Sequence, residues 1–168
     1  MSNLITSEQI KAVVSPVVAF DPSFFDTSIS YIEEFVIKCV LTDALYDDMV
    51  AKIALLPGTP LSAEDQALFD KILPAESYAV AYASYEKDLI TKTHNQGMME
   101  NNTQYSKSDK TIDKKVVLKE VKQREYDYMK ALGDFLIANA TDYPLFDADS
   151  IYYSPNFRRF FPIWVTYT

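Results

Sequence analysis

Apolar residues recur along this chain at intervals of three and four, broken by prolines and polar clusters, and the pattern predicts a succession of helices. Thr6 and Gln9 form a capping box ahead of Ile10, Val13 and Val14, and that short helix stops before Pro16. Asp21-Pro22 reads as the N-cap and first position of a second helix. Its inward positions are Ile29, Ile32, Val36, Cys39 and Val40, with Glu33, Glu34 and Lys38 on the solvent face. Thr42 or Asp43 caps a third helix that turns Leu45, Met49, Val50 and Ile53 inward. After a turn at Pro57-Gly58-Thr59-Pro60, Ser62 opens a fourth, with Asp65 as its N3 acid and Leu68, Phe69 and Ile72 inward. Pro74 is expected to end it, since an interior proline removes a hydrogen bond and crowds the preceding turn. The next helix carries Tyr78, Tyr82, Tyr85 and Leu89 on one stripe.

Residues 92–110 break the pattern with Asn, Gln, Ser and Thr, and predict a flexible polar loop or loose hairpin that is mobile or ordered by a partner. Thr111 then caps the longest helix, expected to run to about Asn139, with Leu118, Val121, Tyr128, Leu132 and Phe135 inward and Glu125 interrupting the stripe. Gly133 within it points to the close approach of another helix. The last 26 residues, 143–168, hold nine of the 23 aromatic side chains, and Pro144, Pro155 and Pro162 keep them from forming one helix. So much apolar surface must lie on the helical body or on a neighbour. The expected fold is mainly α: a small helical bundle over residues 1–140, with a long C-terminal helix and the polar insertion, then an extended aromatic tail over 141–168.

Charge sharpens this picture. Residues 1–91 carry 14 acids against five lysines, residues 92–130 nine bases against six acids, and the whole chain is −8. An acidic body is a poor match for phosphate, which calls for clustered Lys and Arg. No apolar run approaches the ~18 residues that span a bilayer, and the start lacks a basic segment followed by an apolar block. The sequence therefore predicts a soluble protein made in a cytoplasm. Cys39 is the single cysteine, which excludes an intrachain disulfide; its apolar neighbours predict a buried thiol.

Residues suited to chemistry are sparse. His94 is the single histidine, in a polar stretch with neither metal-ligand partners nor a nucleophile and orienting acid nearby. The acid pairs Glu33-Glu34 and Asp47-Asp48, with Asp43 four positions before Asp47, could work as general acids and bases but fit better as solvated helix faces. Asp142, Asp147 and Asp149 could touch a calcium ion, yet lack the glycine and closing Glu of an EF-hand loop. With glycine only at positions 58, 97 and 133, no phosphate-cradling loop is present. These features predict neither a catalytic residue, a metal nor a cofactor. The tail is the expected contact surface, through Tyr152, Tyr153, Phe157, Arg158, Arg159, Phe160, Phe161, Trp164 and Tyr167, because aromatics and Arg dominate interface hot spots.

One resemblance covers most of residues 4–140. Leu4-Ile5-Thr6-x-Glu8-Gln9-Ile10, Tyr31-Ile32-Glu33, Leu41-x-Asp43-Ala44-Leu45-Tyr46-Asp47, the Tyr/Ala-rich run from Ser77 to Ile90, and Asn95-Gln96-Gly97 ahead of a long charged helix follow in order. Together they resemble the small helical head–tail connector proteins of tailed phages, including those of crAss-like phages. The resemblance implies a structural virion protein at the head–tail junction: copies of itself in a twelve-fold ring that docks below the portal protein, extends the DNA channel and joins the next tail component. DNA would pass without specific binding, no membrane would be involved, and the protein would not be an enzyme. A small helical phage or bacterial enzyme, or a regulatory binding module, is the alternative.

Overall fold

The computed structural model describes residues 3–14, 22–97 and 108–147, with the backbone alone for Pro22, 88–97 and 108–115. Everything regular in them is helical. Helix α1, Ser7–Val14, begins as the capping box dictates: the Thr6 N–H donates to Gln9 Oε1 at 2.8 Å, and the Gln9 N–H to Thr6 Oγ1 at 3.3 Å. It buries Ile10 and Val14 against the later helix α5.

The second helix starts later than Asp21-Pro22 suggests. Pro22–Phe24 form one 3-10 turn, Phe25 takes the cap position without a side-chain hydrogen bond, and α2 runs from Asp26 to Ile32. Burial drives this, since the Phe25 ring is wholly enclosed. The helix continues without a break through a π-helical turn, Glu33–Ile37, into α3, Lys38–Leu41. A π turn carries one residue more than its α counterpart and rotates everything after it. That rotation corrects the predicted stripe: Ile37, Val40 and Leu41 are buried, whereas Val36 and Cys39 are half-buried. Helix α4, Asp43–Ala54, buries Leu45, Tyr46 and Met49.

Helix α5, Ala63–Gly97, opens at Ser62, whose Oγ accepts from the Asp65 N–H at 3.1 Å. Asp65 also takes the Lys52 ammonium at 2.8 Å, and Asp48 takes it at 2.7 Å, tying α4 to the start of α5. Pro74 does not end this helix. The hydrogen bond it removes is one, whereas Leu68, Ile72, Ala75, Tyr78 and Ala79 around it are all sealed in the core, and that burial holds the backbone on one axis.

Helix α6, Ser108–Ala138, is antiparallel to α5. The pairing is read from side chains: Lys71 lies over the Phe135 ring, Tyr78 stacks on Tyr128 with ring centroids 5.3 Å apart, and Lys122 lies over the Tyr82 ring. Position falls along α6 as it rises along α5, which makes a helical hairpin. The polar stretch 92–110 was expected to be a loop throughout, but its first six and last three residues continue α5 and α6; 98–107 lie outside the described residues. Favourable packing in the hairpin, earlier along α5 and later along α6, extends both helices into sequence of poor local pattern. Gly133 is buried within α6.

The body does not end at residue 140. Tyr143 and Phe146 are buried in the same core, the Tyr143 ring 5.9 Å from Phe135, and the Tyr143 hydroxyl donates to the Glu64 carbonyl at 2.8 Å. The first part of the predicted tail thus packs on its own subunit.

Candidate functional site, a carboxyl pair and an acidic groove

Two features stand apart from ordinary packing. The first is a pair of acids inside the core. Glu33 was predicted to face solvent but is 3% exposed, and Glu76 on α5 is fully buried. Glu33 is held by donors from two directions. The Leu4 N–H reaches its Oε1 at 2.6 Å, the Ile5 N–H also serves it, and the Tyr46 hydroxyl donates from α4. The N-terminal segment, α4 and the π turn therefore meet on one carboxyl.

Glu76 has no such company. Neither of its oxygens finds a donor among the described residues other than the Glu33 carboxyl it faces. Two carboxylates cannot bond each other; one must hold a proton and donate it. Burial is the chief force raising the Glu76 pKa well above the ordinary value, with the adjacent Glu33 charge adding to it. Burial raises Glu33 as well, opposed by the Leu4, Glu76, Tyr46 and Ile5 hydrogen bonds. Loss of solvent, reinforced by the same acids, pushes the Tyr46 phenol upward. The arrangement thus holds a proton between Glu33, the acceptor with more hydrogen-bond donors, and Glu76. Chemically this is a protonated dyad, but a closed one. Nearby on α5 the buried Ser77 hydroxyl finds no partner among the described residues, while Ser84 donates to Ser28 of α2 at 2.8 Å.

The second feature is on the surface. An open groove of about 430 Å³ lies where α3 meets α4, lined by Glu34, Lys38, Cys39, Thr42, Asp43 and Ala44, with Leu145 and Asp147 on its far side. Among its described residues Lys38 is the single base, bound to Glu34 at 2.8 Å; that hydrogen bond, with the fields of Asp47 and Asp43, raises the ammonium pKa. The groove is therefore acidic overall. Thr42 closes α3 and opens α4 with φ 72° and ψ 152°, a region a β-branched residue rarely enters. Its hydroxyl donates to the Leu145 carbonyl at 3.0 Å, which fixes residues 143–147 against the groove. Both Thr42→Gly and Thr42→Ala lose that bond, but only glycine relieves the backbone. We expect Thr42→Gly to melt above Thr42→Ala by an amount equivalent to about 1 kcal/mol, measured by thermal denaturation of the two variants side by side.

Along the same helix from the groove, Tyr31 and Phe35 are 58% and 52% exposed, their rings 5.0 Å apart. Phe35 connects to the groove through its carbonyl, which accepts the Cys39 thiol at 3.5 Å. Cys39, predicted to be buried, is half-buried and lines the groove, because the π turn has rotated it outward.

The expected contact residues, Tyr152, Tyr153, Phe157, Arg158, Arg159, Phe160, Phe161, Trp164 and Tyr167, lie outside the described residues, as does Asp149. His94 lies on α5 in its backbone-only part. Among the described residues no group of three His, Cys, Asp or Glu could hold a metal ion, and no helix is long and apolar enough to cross a membrane. Glu76 was not singled out from sequence, yet a signal was there: it follows Ile72 by four positions and precedes Ala79 and Val80, an acid in the middle of an apolar stripe. A model of a family of unknown function, DUF6712, matches residues 37–156. Neither a curated protein nor a solved structure gives a match.

Proposed function

We propose a structural role for this chain, which belongs to the family of unknown function DUF6712: it is a subunit of a head–tail connector ring in a tailed phage. In this role copies of it close into a ring below the portal, extend the DNA channel, and offer a docking surface to the next tail component. The observation that carries the reading is the exposed Tyr31–Phe35 pair beside the acidic groove. Two large rings side by side and more than half exposed form an apolar patch of the kind that another protein covers. The ordered motifs from Leu4 to Gly97 support the connector assignment. A net charge of −8 suits a wall past which DNA slides, since like charges repel. The enzyme alternative would rest on the Glu33–Glu76 dyad, which is enclosed where a substrate would need access.

The test is mass and shape. Light scattering and electron microscopy of the full chain, alone and mixed with a portal protein from the same source, should give rings of uniform diameter or a ring-on-portal complex. A chain that stays a single subunit under both conditions overturns the proposal.

A further inference from the structure

We propose that the acidic groove between α3, α4 and residues 145–147 receives the Phe157–Phe161 segment of a second copy of this chain. The inference rests on the ring reading above and names the contact that would build the ring.

Three observations converge on that occupant. The first is charge. The groove brings together the carboxylates of Glu34, Asp43 and Asp147, with Asp47 close enough to act on Lys38, and the one base among them is already paired with Glu34. The chain has three arginines, and two of them are adjacent, Arg158-Arg159. Guanidinium groups bind carboxylates in a fixed two-pronged geometry and tolerate burial better than ammonium groups.

The second is apolar match. Arg158-Arg159 is bracketed by Phe157 on one side and Phe160-Phe161 on the other. Exposed Tyr31 and Phe35 lie on the helix that carries Cys39 of the groove, with Phe35 four positions before it. A basic pair between aromatics therefore meets an acidic groove beside aromatics, so that the rings cover each other while the charges pair.

The third is reach. The described chain leaves the groove's rim at Asp147, and Arg158 follows eleven positions later. An extended run of that length spans about 36 Å. A globular subunit of this size has a radius of gyration of about 15 Å and so a diameter near 40 Å. Fully extended, the segment covers nearly one subunit diameter, the scale that separates equivalent points on adjacent subunits, so it reaches a neighbour's groove where the two subunits pack closely; Pro155 and Pro162 disfavour its coiling into one helix. A tail entering the next subunit's groove is a heterologous contact, the kind that generates closed rings.

Cys39, the chain's single cysteine, lines the groove and reports on the contact directly. A chain carrying Phe160→Cys and Cys39→Ser is mixed with the unmodified chain and oxidised with diamide. The two chains carry different tags, so the mixed disulfide, which can form only between copies, is told apart from the self-pairs of either chain; we expect a mixed two-chain band that disappears on reduction. Asp43→Lys with Asp147→Lys in the unmodified partner should lower the yield at least tenfold, and Arg158→Glu with Arg159→Glu in the tail-bearing chain should restore it. A chain carrying Phe160→Cys with Cys39 intact should, when dilute, show little closure within itself. The absence of the two-chain band, or efficient closure within one chain, overturns the proposal. Light scattering on the same samples separates the two levels: association that persists without the cross-link leaves the ring reading standing and removes this contact alone, whereas single subunits throughout remove both.

Discussion

Glu33→Leu is expected to destabilise the body by about 3–5 kcal/mol, because it strips the acceptor from several buried donors at once. The Leu4 and Ile5 N–H groups and the Tyr46 hydroxyl would all be left without it. In a domain whose whole stability is about 5–15 kcal/mol, such a loss brings the chain close to unfolding. Glu33→Gln keeps an acceptor oxygen and should cost much less. Urea titration followed by circular dichroism measures both; equal midpoints for the Leu and Gln variants would contradict the role given to the carboxyl.

The partner acid makes a prediction about pH. Folding raises the Glu76 pKa above its ordinary 4.5, so the folded chain keeps a proton that the unfolded chain releases. The stability linked to that proton is complete below the ordinary value and is lost as pH rises through the elevated one. The slope approaches about 1.4 kcal/mol per pH unit for one extra proton held. Glu76→Gln preserves the shape, donates an N–H to Glu33 and has no proton to lose. Between pH 5 and pH 8 it should therefore gain on the parent chain, whose other titrating groups it shares. Parallel stability curves for parent and variant over that range would show that no shared proton is present.

The second large effect concerns association. Tyr31→Ser and Phe35→Ser remove side chains that are more than half exposed, so the body's melting should move by no more than about 0.5 kcal/mol. If these rings anchor a neighbour, each substitution should weaken self-association or portal binding roughly 30-fold, the equivalent of about 2 kcal/mol per anchor. Sedimentation of the two single variants and the double variant tests this. Assembly as tight as that of the parent would remove the patch from the interface.

Much of the fold could be read from the sequence because its signals are local. The Thr6–Gln9 box and the Ser62–Asp65 start are contacts three positions apart, and both are present as read. The inward faces of α4 and early α5 follow the same short spacing. Misreadings came where distant packing overrides local preference. Pro74 is carried through α5 by its buried neighbours, and the polar ends of 92–110 are drawn into helices by the hairpin. Glu33 lies four positions beyond Ile29 on the apolar stripe, but a carboxylate there makes sense only once Glu76 and the Leu4 N–H are known to face it. The π turn, which sends Cys39 outward, depends on an extra residue within one turn and leaves no simple periodic mark. The groove joins positions about a hundred residues apart, Thr42 and Leu145, and no spacing rule reaches that far.

The seat of α1 against α5 also sets a schedule for synthesis. Val14 leaves the ribosome early, whereas Glu76, which closes the core over Glu33, follows 62 positions later. At about 5–20 residues per second, that gap is roughly 3–12 s. Through it Leu4, Ile5, Ile10 and Val14 have no α5 to cover them. A nascent chain of this protein therefore shows a sticky segment for seconds at a time, and a bound holdase during translation, or a slower codon run after α5, would change the yield of folded subunits without altering a single native contact.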